Sequence, residues 1–239
     1  MIILFANQKG GVGKSTLCVH YANYLRAHLV DVVVFDTDFQ QTIYSLRQRE
    51  LEAHGVKPGE EYEHNSDVKK KFFTYYEIIA ENDLLAVKDA VQAFNKFDND
   101  KEHVILVDLP GYLSDDNLIS LFKISDFIFI PFQYENAVLE STSVFIRILT
   151  MQEFGINSQL VFIPNKIDNR KKYEKEEVNK ILKQYGKISP EIPDRKCLSF
   201  LSTMVDCITY DQWVAFDMAF NYLSDLYNSN IKEKNSILK

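Results

Sequence analysis

The sequence predicts an α/β fold in which a mostly parallel, twisted sheet is flanked by helices. Short apolar runs alternate along the chain with longer amphipathic stretches, which is typical of alternating strands and helices. The runs are apolar at successive positions, as expected of strands buried on both faces. Strands that alternate with helices favour a parallel sheet covered by helices. The 239 residues suit one such domain over residues 1–239.

Each element follows from a particular segment of this pattern. The predicted strands are 1–6, 31–38, 103–111, 126–132 and 159–168. The predicted helices are 14–28, about 68–96 in pieces, 114–124, 135–153, 171–185 and 207–228. Residues 54–70 are polar and contain Gly and Pro, which predicts an exposed loop within the domain. Residues 229–239 are expected to be a frayed tail.

The composition argues against several classes of protein. A net charge of −7 argues against a surface built throughout for nucleic acid, although it is compatible with a local basic patch. The three cysteines include no C-x-x-C pair, which argues against a disulfide framework or a zinc site. No apolar stretch approaches the ~18 residues of a membrane span. The N-terminus also lacks a basic leader region, so we expect a cytoplasmic protein.

The segment ANQKGGVGKST, residues 6–16, predicts a phosphate-binding loop between the first strand and the first helix. Gly10, Gly11 and Gly13 have no Cβ atoms, so several backbone N–H groups can converge on phosphate oxygens, with the helix N-terminus behind them. The alternative is a glycine-rich turn that only joins the strand to the helix. Three glycines followed by G-K-S-T at such a junction favour the phosphate loop.

The side chains of this loop indicate how it would hold a magnesium nucleotide. Lys14 would neutralise the β- and γ-phosphates, and the Ser15 hydroxyl would ligate Mg²⁺. Thr16 would lie on the α-phosphate side. One position departs from the pattern G-x-x-x-x-G-K-[ST], because Gln8 stands where its first glycine is expected.

Carboxylates follow two of the predicted strands. Asp36 and Asp38 alternate at period two in VFDTDFQQ, so both face the same side of the chain. Asp108 ends the apolar run VILVDLPG, which is the usual arrangement of a carboxylate that serves a nucleotide-bound metal. A capping role in an Asp-rich turn is the alternative for the first pair, and a solvated strand end is the alternative for Asp108.

A second lysine, Lys9, precedes the glycine pair of the loop. A lysine at the start of the loop points out of the site that Lys14 fills. Its ammonium could reach phosphates bound to another copy of the chain, as an arginine finger acts in trans. The alternative is a solvated side chain.

The loop KGGVGKST resembles the deviant Walker A motif, K-G-G-x-G-K-[ST]-[ST], of the ParA/MinD superfamily of P-loop ATPases. Together with VVVFDTDFQQ it is most similar to the ParA (partition ATPase) branch, whose second motif is D-x-D-P-Q. Phe39 stands where that branch usually has proline. The resemblance extends over most of the chain, is looser after residue 110, and matches little in 45–100.

This resemblance implies a P-loop NTPase fold with ATP and Mg²⁺ as cofactors. The residues that would hold the nucleotide phosphates are Gly10, Gly11, Val12, Gly13, Lys14, Ser15 and Thr16. Lys9 would be the signature lysine that crosses the interface of an ATP-sandwich dimer. Asp38 would position the hydrolytic water, and Asp36 would support the network of metal and lysines.

The resemblance also assigns positions later in the chain. Asp108 would be the Walker B residue and, with Ser15 and Asp36, would serve the metal. Asn165 would sit by the adenine at the end of a strand. The segment 189–195 would close over the base.

The implied function is a slow ATPase that works as a switch. ATP would favour a homodimer, and an activating partner protein of the ParB kind would stimulate hydrolysis. The process would be DNA segregation, or the positioning of a plasmid, mobile element or other cargo, with nucleoid association where DNA is bound. A catalytically weak ATP-binding assembly switch is an alternative, in which Phe39 has lowered hydrolysis.

A candidate surface for non-specific DNA is residues 166–187. Residues 170–187 hold seven basic and three acidic residues, a balance of +4 in a chain of −7. Arg195 and Lys196 flank this basic patch. Backbone phosphates would be its target, and binding would weaken with salt. A solvated helix face with Glu–Lys pairs is the alternative.

Other members of related classes fit the sequence less well. A MinD-like membrane-associated ATPase needs an amphipathic C-terminal helix with a basic face, and two aspartates interrupt the face opposite the apolar stripe. That stripe is Trp213, Phe216, Phe220, Leu223 and Tyr227. A small-molecule ligase or kinase similar to dethiobiotin synthetase would need a substrate pocket and would have less use for a second lysine at position 9. An iron–sulfur ATPase of the nitrogenase reductase type lacks its cluster cysteines.

Overall fold

The structure is a computed structural model, and it describes residues 1–56, 76–97, 103–111, 117–171 and 174–237. Most of the predicted loop 54–70 therefore lies outside the described residues. The strands are β1 (Ile2–Phe5), β2 (Asp31–Asp36), β3 (Glu77–Ala80), β4 (His103–Asp108), β5 (Phe127–Phe132), β6 (Gln159–Pro164) and β7 (Lys187–Ile188). The helices are α1 (Lys14–Ala27), α2 (Thr42–Ala53), α3 (Leu84–Phe97), α4 (Asn117–Ile124), α5 (Asn136–Leu149), α6 (Lys175–Leu182) and α7 (Tyr210–Ile237).

The described strands form one sheet in the order β3-β2-β4-β1-β5-β6-β7. Every neighbouring pair is parallel, because each connection crosses back over the sheet, mostly through a helix. The prediction of an α/β fold with a parallel sheet flanked by helices is confirmed. Since β1 lies between β4 and β5, the strand order reverses in the middle of the sheet, which is where α/β sheets bind ligands.

A hydrophobic core lies on each face of the sheet. On one face, Ile3 and Phe5 of β1 belong to a cluster with α1 and α7. On the other face, Ile2 and Leu4 belong to a cluster with α3, α4 and α5. Successive β1 residues thus alternate between two buried layers, which explains the continuous apolar run.

The apolar stripe of the last helix is part of the first of these cores. Phe216, Phe220, Leu223 and Tyr227 are buried, and Trp213 packs against the same cluster. The rings of Phe216 and Phe220 stack in parallel with centroids 4.6 Å apart. None of the described helices is long and apolar enough to span a membrane.

Four elements differ from the sequence predictions. Residues 77–80, predicted as helical, form the edge strand β3 beside β2, because a short apolar run has no period that separates helix from strand. Helix α2 and the two-residue strand β7 were not predicted. Helix α7 continues to Ile237, beyond the predicted end at 228, and Ile231 packs on the core; the frayed tail over 229–239 stays a prediction.

Candidate nucleotide-binding site

The predicted phosphate loop connects β1 to α1 and has a backbone that glycine alone adopts easily. Gly11 has φ of 79° and Gly13 has φ of 99°, both in the left-handed region. Gly13 is also the residue that caps α1. A Cβ atom on Gly13 would lie 2.4 Å from Nδ2 of Asn165, so this position excludes any side chain for a second reason.

Asn7 anchors the start of the loop to the neighbouring part of the sheet. Its buried Nδ2 donates to the Pro131 carbonyl at 2.8 Å and to the Thr142 hydroxyl at 3.1 Å. Its Oδ1 accepts a hydrogen bond from the Lys9 backbone at 3.1 Å. Sequence reasoning missed Asn7. The available signal was a polar residue directly after an apolar strand.

Two consecutive residues at the end of β6 hold the far side of the loop. Nδ2 of Asn165 donates to the Val12 carbonyl at 2.8 Å. Nζ of Lys166 donates to the Gly11 carbonyl at 2.8 Å. Asn165 therefore contacts the loop backbone, and its place beside the adenine stays a prediction. Lys166 was predicted only as part of the basic patch.

The three predicted carboxylates meet at the carboxyl ends of β2 and β4. Asp36 and Asp108 are direct partners across the two strands, and both are almost completely buried. Burial raises the pKa of Asp108 to about 7, against the opposing effects of the Ser15 hydroxyl and the Lys14 ammonium. Asp36 and Asp38 add to the increase by repulsion. The sheet thus brings the predicted metal residues together beside the loop.

Lys14 points into this site. Its Nζ lies 3.6 Å from the place that a Cβ atom of Gly111 would occupy, so the turn after β4 passes close to the lysine head. Ser15 and Thr16 follow in the first turn of α1 and are half-buried. Val12 is buried, whereas Lys9 is exposed.

Asp36 and Asp38 have different partners although both leave β2. Oδ2 of Asp36 accepts from the backbone N–H groups of Ile43 and Tyr44 at 2.9 and 3.0 Å, so it holds the first turn of α2. Burial raises its pKa, against those two hydrogen bonds. Asp38 is half-buried, and its Oδ1 accepts from the Gln40 backbone at 2.9 Å.

The carboxylates fit a magnesium ion. Oδ1 of Asp36 and Oδ1 of Asp108 are buried and make no hydrogen bond within the described part of the chain. Buried charged oxygens without partners are costly, and a cation would relieve that cost. Mg²⁺ usually takes one or two carboxylates together with phosphates and waters. Among the described residues no cluster of three or more His, Cys, Asp or Glu could hold a metal.

The segment 189–195, predicted to close over the base, runs beside the end of β6. The Ile192 backbone donates to the Pro164 carbonyl at 2.8 Å, and the Ile167 backbone donates to the Ile192 carbonyl at 3.0 Å. The segment therefore lies next to Asn165. Its contact with a base stays a prediction.

The basic patch is partly neutralised by neighbouring carboxylates. Its ion pairs are Arg170–Asp168 at 2.8 Å, Lys171–Glu135 at 3.3 Å and Lys175–Glu191 at 2.8 Å. Lys180, Lys183 and Lys187 are exposed and form no ion pair within the residues that the structure describes. Residues 172–173 lie outside that part of the chain. Fewer positive charges are thus available to DNA than the sequence balance indicates.

Several solved structures share this fold. A protein described as a plasmid partition protein from Borrelia burgdorferi B31, bound to AMPPNP, is 20% identical, with a TM-score of 0.67 over 94% of this chain and 98% of that chain. MinD from Aquifex aeolicus is 18% identical, with a TM-score of 0.66 over 94% and 97%. Cobyrinic acid a,c-diamide synthase from Mycobacterium smegmatis, with ADP and magnesium, is 20% identical, with a TM-score of 0.61 over 96% of each chain.

At these identities the likeness establishes the fold alone. No curated protein sequence matches the chain significantly. The family model of the CobQ/CobB/MinD/ParA nucleotide-binding domain matches residues 3–203, a span that contains the loop, all three carboxylates and the end of β6. The chain therefore belongs to the CobQ/CobB/MinD/ParA family of nucleotide-binding domains.

Proposed function

We propose that this chain is an ATP-dependent, dimerising switch ATPase of the ParA type. Its process would be DNA segregation, or the positioning of a plasmid, mobile element or other cargo. The observation that carries the proposal is the presence of two lysines on one phosphate loop with different surroundings. Lys14 points into the chain's own site beside Gly111, whereas Lys9 is exposed at the outer edge of the loop.

The position of Lys9 supports a role in trans. Its backbone N–H is fixed to the side chain of the buried Asn7, so the lysine is held at the rim of the loop. Its ammonium forms no ion pair with the described residues. A cation held there can neutralise phosphates on a second copy of the chain, and the same contact would make dimerisation depend on ATP.

The carboxylate side of the loop supports hydrolysis. Ser15, Asp36 and Asp108 would hold Mg²⁺, which when bound neutralises charge on the phosphate oxygens. Relatives of known structure that hold AMPPNP, or ADP with magnesium, support this choice of ligands. Oδ1 of Asp38 accepts the hydrogen bond from the Gln40 backbone. Its other carboxylate oxygen, Oδ2, could orient an attacking water.

A catalytically weak assembly switch is the second candidate, and Phe39 favours it. This side chain is 72% exposed directly beside Asp38, at the position where the ParA branch usually has proline. MinD-like membrane binding is less favoured, since the apolar stripe of α7 is buried in the core. DNA binding through residues 166–187 and a ParB-like activator stay predictions.

The first experiment replaces Lys9 with alanine. We expect a dissociation constant for MgADP within about threefold of that of the unchanged protein, since Lys14 would still contact the nucleotide bound to its own chain. The dimer formed with a non-hydrolysable ATP analogue should be lost in analytical ultracentrifugation. Lys183→Ala, which removes the same charge from an exposed site, is the control. If the Lys9→Ala protein still dimerises with the analogue, Lys9 does not act on phosphates bound to the second copy.

The second experiment separates the two candidates. Asp38→Ala should trap an ATP-bound dimer and lower turnover by about 10²-fold if this carboxylate positions the water. Turnover is measured as phosphate release with and without DNA. Unaltered turnover would show that the water is positioned elsewhere. Negligible turnover in the unchanged protein under all conditions would favour the assembly switch.

A further inference from the structure

We propose that Lys166 is a positioning residue of the phosphate loop, a role that rests on the proposed nucleotide function. Its Nζ donates to the Gly11 carbonyl at 2.8 Å. The adjacent Asn165 donates to the next carbonyl, that of Val12, also at 2.8 Å. Two consecutive loop carbonyls are therefore held toward the end of β6 before a nucleotide arrives.

Holding these carbonyls also fixes the direction of the N–H groups that phosphates need. In a trans peptide the C=O of one residue and the N–H of the next point in opposite directions. The structure contains no cis peptide bond among its described residues. With the Gly11 and Val12 carbonyls directed at β6, the N–H groups of Val12 and Gly13 point away from β6. Carbonyl oxygens that would repel phosphate are thereby kept out of the anion site.

The backbone at Lys166 supports the same role. Its φ of 55° lies in the left-handed region, which is uncommon for residues other than glycine and asparagine. Its two neighbours are fixed, since the Asn165 N–H donates to Phe132 and the Ile167 N–H donates to Ile192. Glycine would adopt this conformation with less strain. A lysine in that conformation is explained by the contact that its side chain makes with the loop.

Lys166 also adds charge to the loop that the P-loop pattern does not include. In the sequence Lys166 lies at the start of the basic patch, but in the structure its ammonium is hydrogen-bonded to the Gly11 carbonyl of the phosphate loop. Its positive charge therefore lies near the anion site. Lys166 and Lys183, the residue directly after α6, are both exposed, but the Lys166 ammonium already donates to the Gly11 carbonyl and is therefore less available to DNA phosphates.

The test compares lysine variants by isothermal titration with MgADP and with a non-hydrolysable ATP analogue. Lys166→Met keeps the apolar stem and loses the donor. We expect its dissociation constants to rise about tenfold, which corresponds to about 1.4 kcal/mol. Lys166→Arg keeps a donor and should stay within about threefold of the unchanged protein. Lys183→Met removes the same charge elsewhere and should have no effect.

A fourth variant separates positioning from general stability. Lys166→Gly relieves the left-handed strain, so the melting temperature without nucleotide should be equal or higher while affinity falls as in Lys166→Met. Equal affinity in Lys166→Met and the unchanged protein would overturn the inference and leave the proposed function standing. Affinity that follows the melting temperature across the variants would also overturn it. Failure of the unchanged protein to bind either nucleotide would overturn both.

Discussion

The phosphate loop lies between two sides of the sheet that differ in chemistry. On the β2–β4 side, Asp36 and Asp108 are buried with raised pKa values and oxygens that lack hydrogen bonds within the described chain. On the β6 side, Asn165 and Lys166 already donate to loop carbonyls. The first side has carboxylate oxygens without a donor among the described residues, whereas the second already has its hydrogen bonds to the loop. Substitutions should therefore show which contacts depend on a bound ligand and which hold the loop in the nucleotide-free protein.

The largest effect is expected at Lys14, the loop lysine that points toward the carboxylate side. Lys14→Ala should weaken binding of MgADP by at least about 100-fold, because a charged contact with phosphate is lost. The nucleotide-free protein should stay folded by circular dichroism, since Lys14 is only half-buried. Lys183→Ala is the control for charge. A loss smaller than tenfold would show that the loop backbone alone supplies the affinity.

We call the β6 side the donor side, because Asn165 and Lys166 donate to the loop. Its close approach to Gly13 should affect stability. Gly13→Ala forces a residue with φ of 99° to carry a Cβ atom 2.4 Å from Asn165, and we expect a loss of about 2–4 kcal/mol in urea unfolding. Gly155→Ala is the matched control, because its φ is 58° and its Cβ would meet nothing within 4 Å; only about 1–2 kcal/mol should be lost there.

A double variant tests whether Asn165 causes that difference. If the clash with Nδ2 is the reason, Gly13→Ala should cost less in an Asn165→Ala background than in the unchanged protein. Equal costs in both backgrounds would place the strain in the loop itself and would weaken the distinction between the two sides.

The carboxylate side should also make stability depend on pH. The pKa of Asp108 is about 7 in the folded protein and about 4 when unfolded. Between these values the folded state binds more protons, so stability falls as pH rises, by up to about 1.4 kcal/mol per pH unit for one group. Asp108→Asn should remove this contribution in urea unfolding of the nucleotide-free protein.

His20 also makes stability depend on pH, so the contribution of Asp108 is obtained from the difference between the stability–pH curves of Asp108→Asn and the unchanged protein. Burial lowers its pKa to about 4, so its contribution to stability is lost as pH falls from about 6.5, opposite to Asp108. Asp168→Asn is the control, since a hydrogen bond from Arg170 lowers the Asp168 pKa to about 2 and its removal should leave the slope above pH 4 unchanged. If the free energy of unfolding changes with pH equally in Asp108→Asn and the unchanged protein, the raised pKa of Asp108 is contradicted.

The smallest effect is expected at an ion pair outside both sides. Lys175 and Glu191 are 2.8 Å apart and each is about one-third exposed. Lys175→Ala should cost about 0.5 kcal/mol and leave MgADP affinity unchanged. A measurable loss of MgADP affinity in Lys175→Ala would show that residues beyond Asn165 and Lys166 also help to position the loop.

The places of the motif residues in the fold could be predicted because they depend on short segments; their roles toward a nucleotide stay predictions. Lys14 and Ser15 follow a strand and a glycine run, and Asp36 and Asp108 end apolar strands. A parallel sheet brings such strand ends to one edge whatever the strand order. Asn7 and Lys166 could not be assigned in this way, because their partners at Pro131 and Gly11 are 124 and 155 residues away.

The sequence by itself determined the fold class and indicated the loop and the carboxylates of the proposed site, since period, glycine placement and strand ends are local properties. Tertiary structure decided which groups hold the loop. It placed β6 so that Asn165 and Lys166 reach two loop carbonyls, buried the α7 stripe against the sheet, and paired several cations of the patch. Those outcomes depend on which strands and helices are neighbours, and hydrogen bonds and burial follow from neighbours in space rather than in sequence.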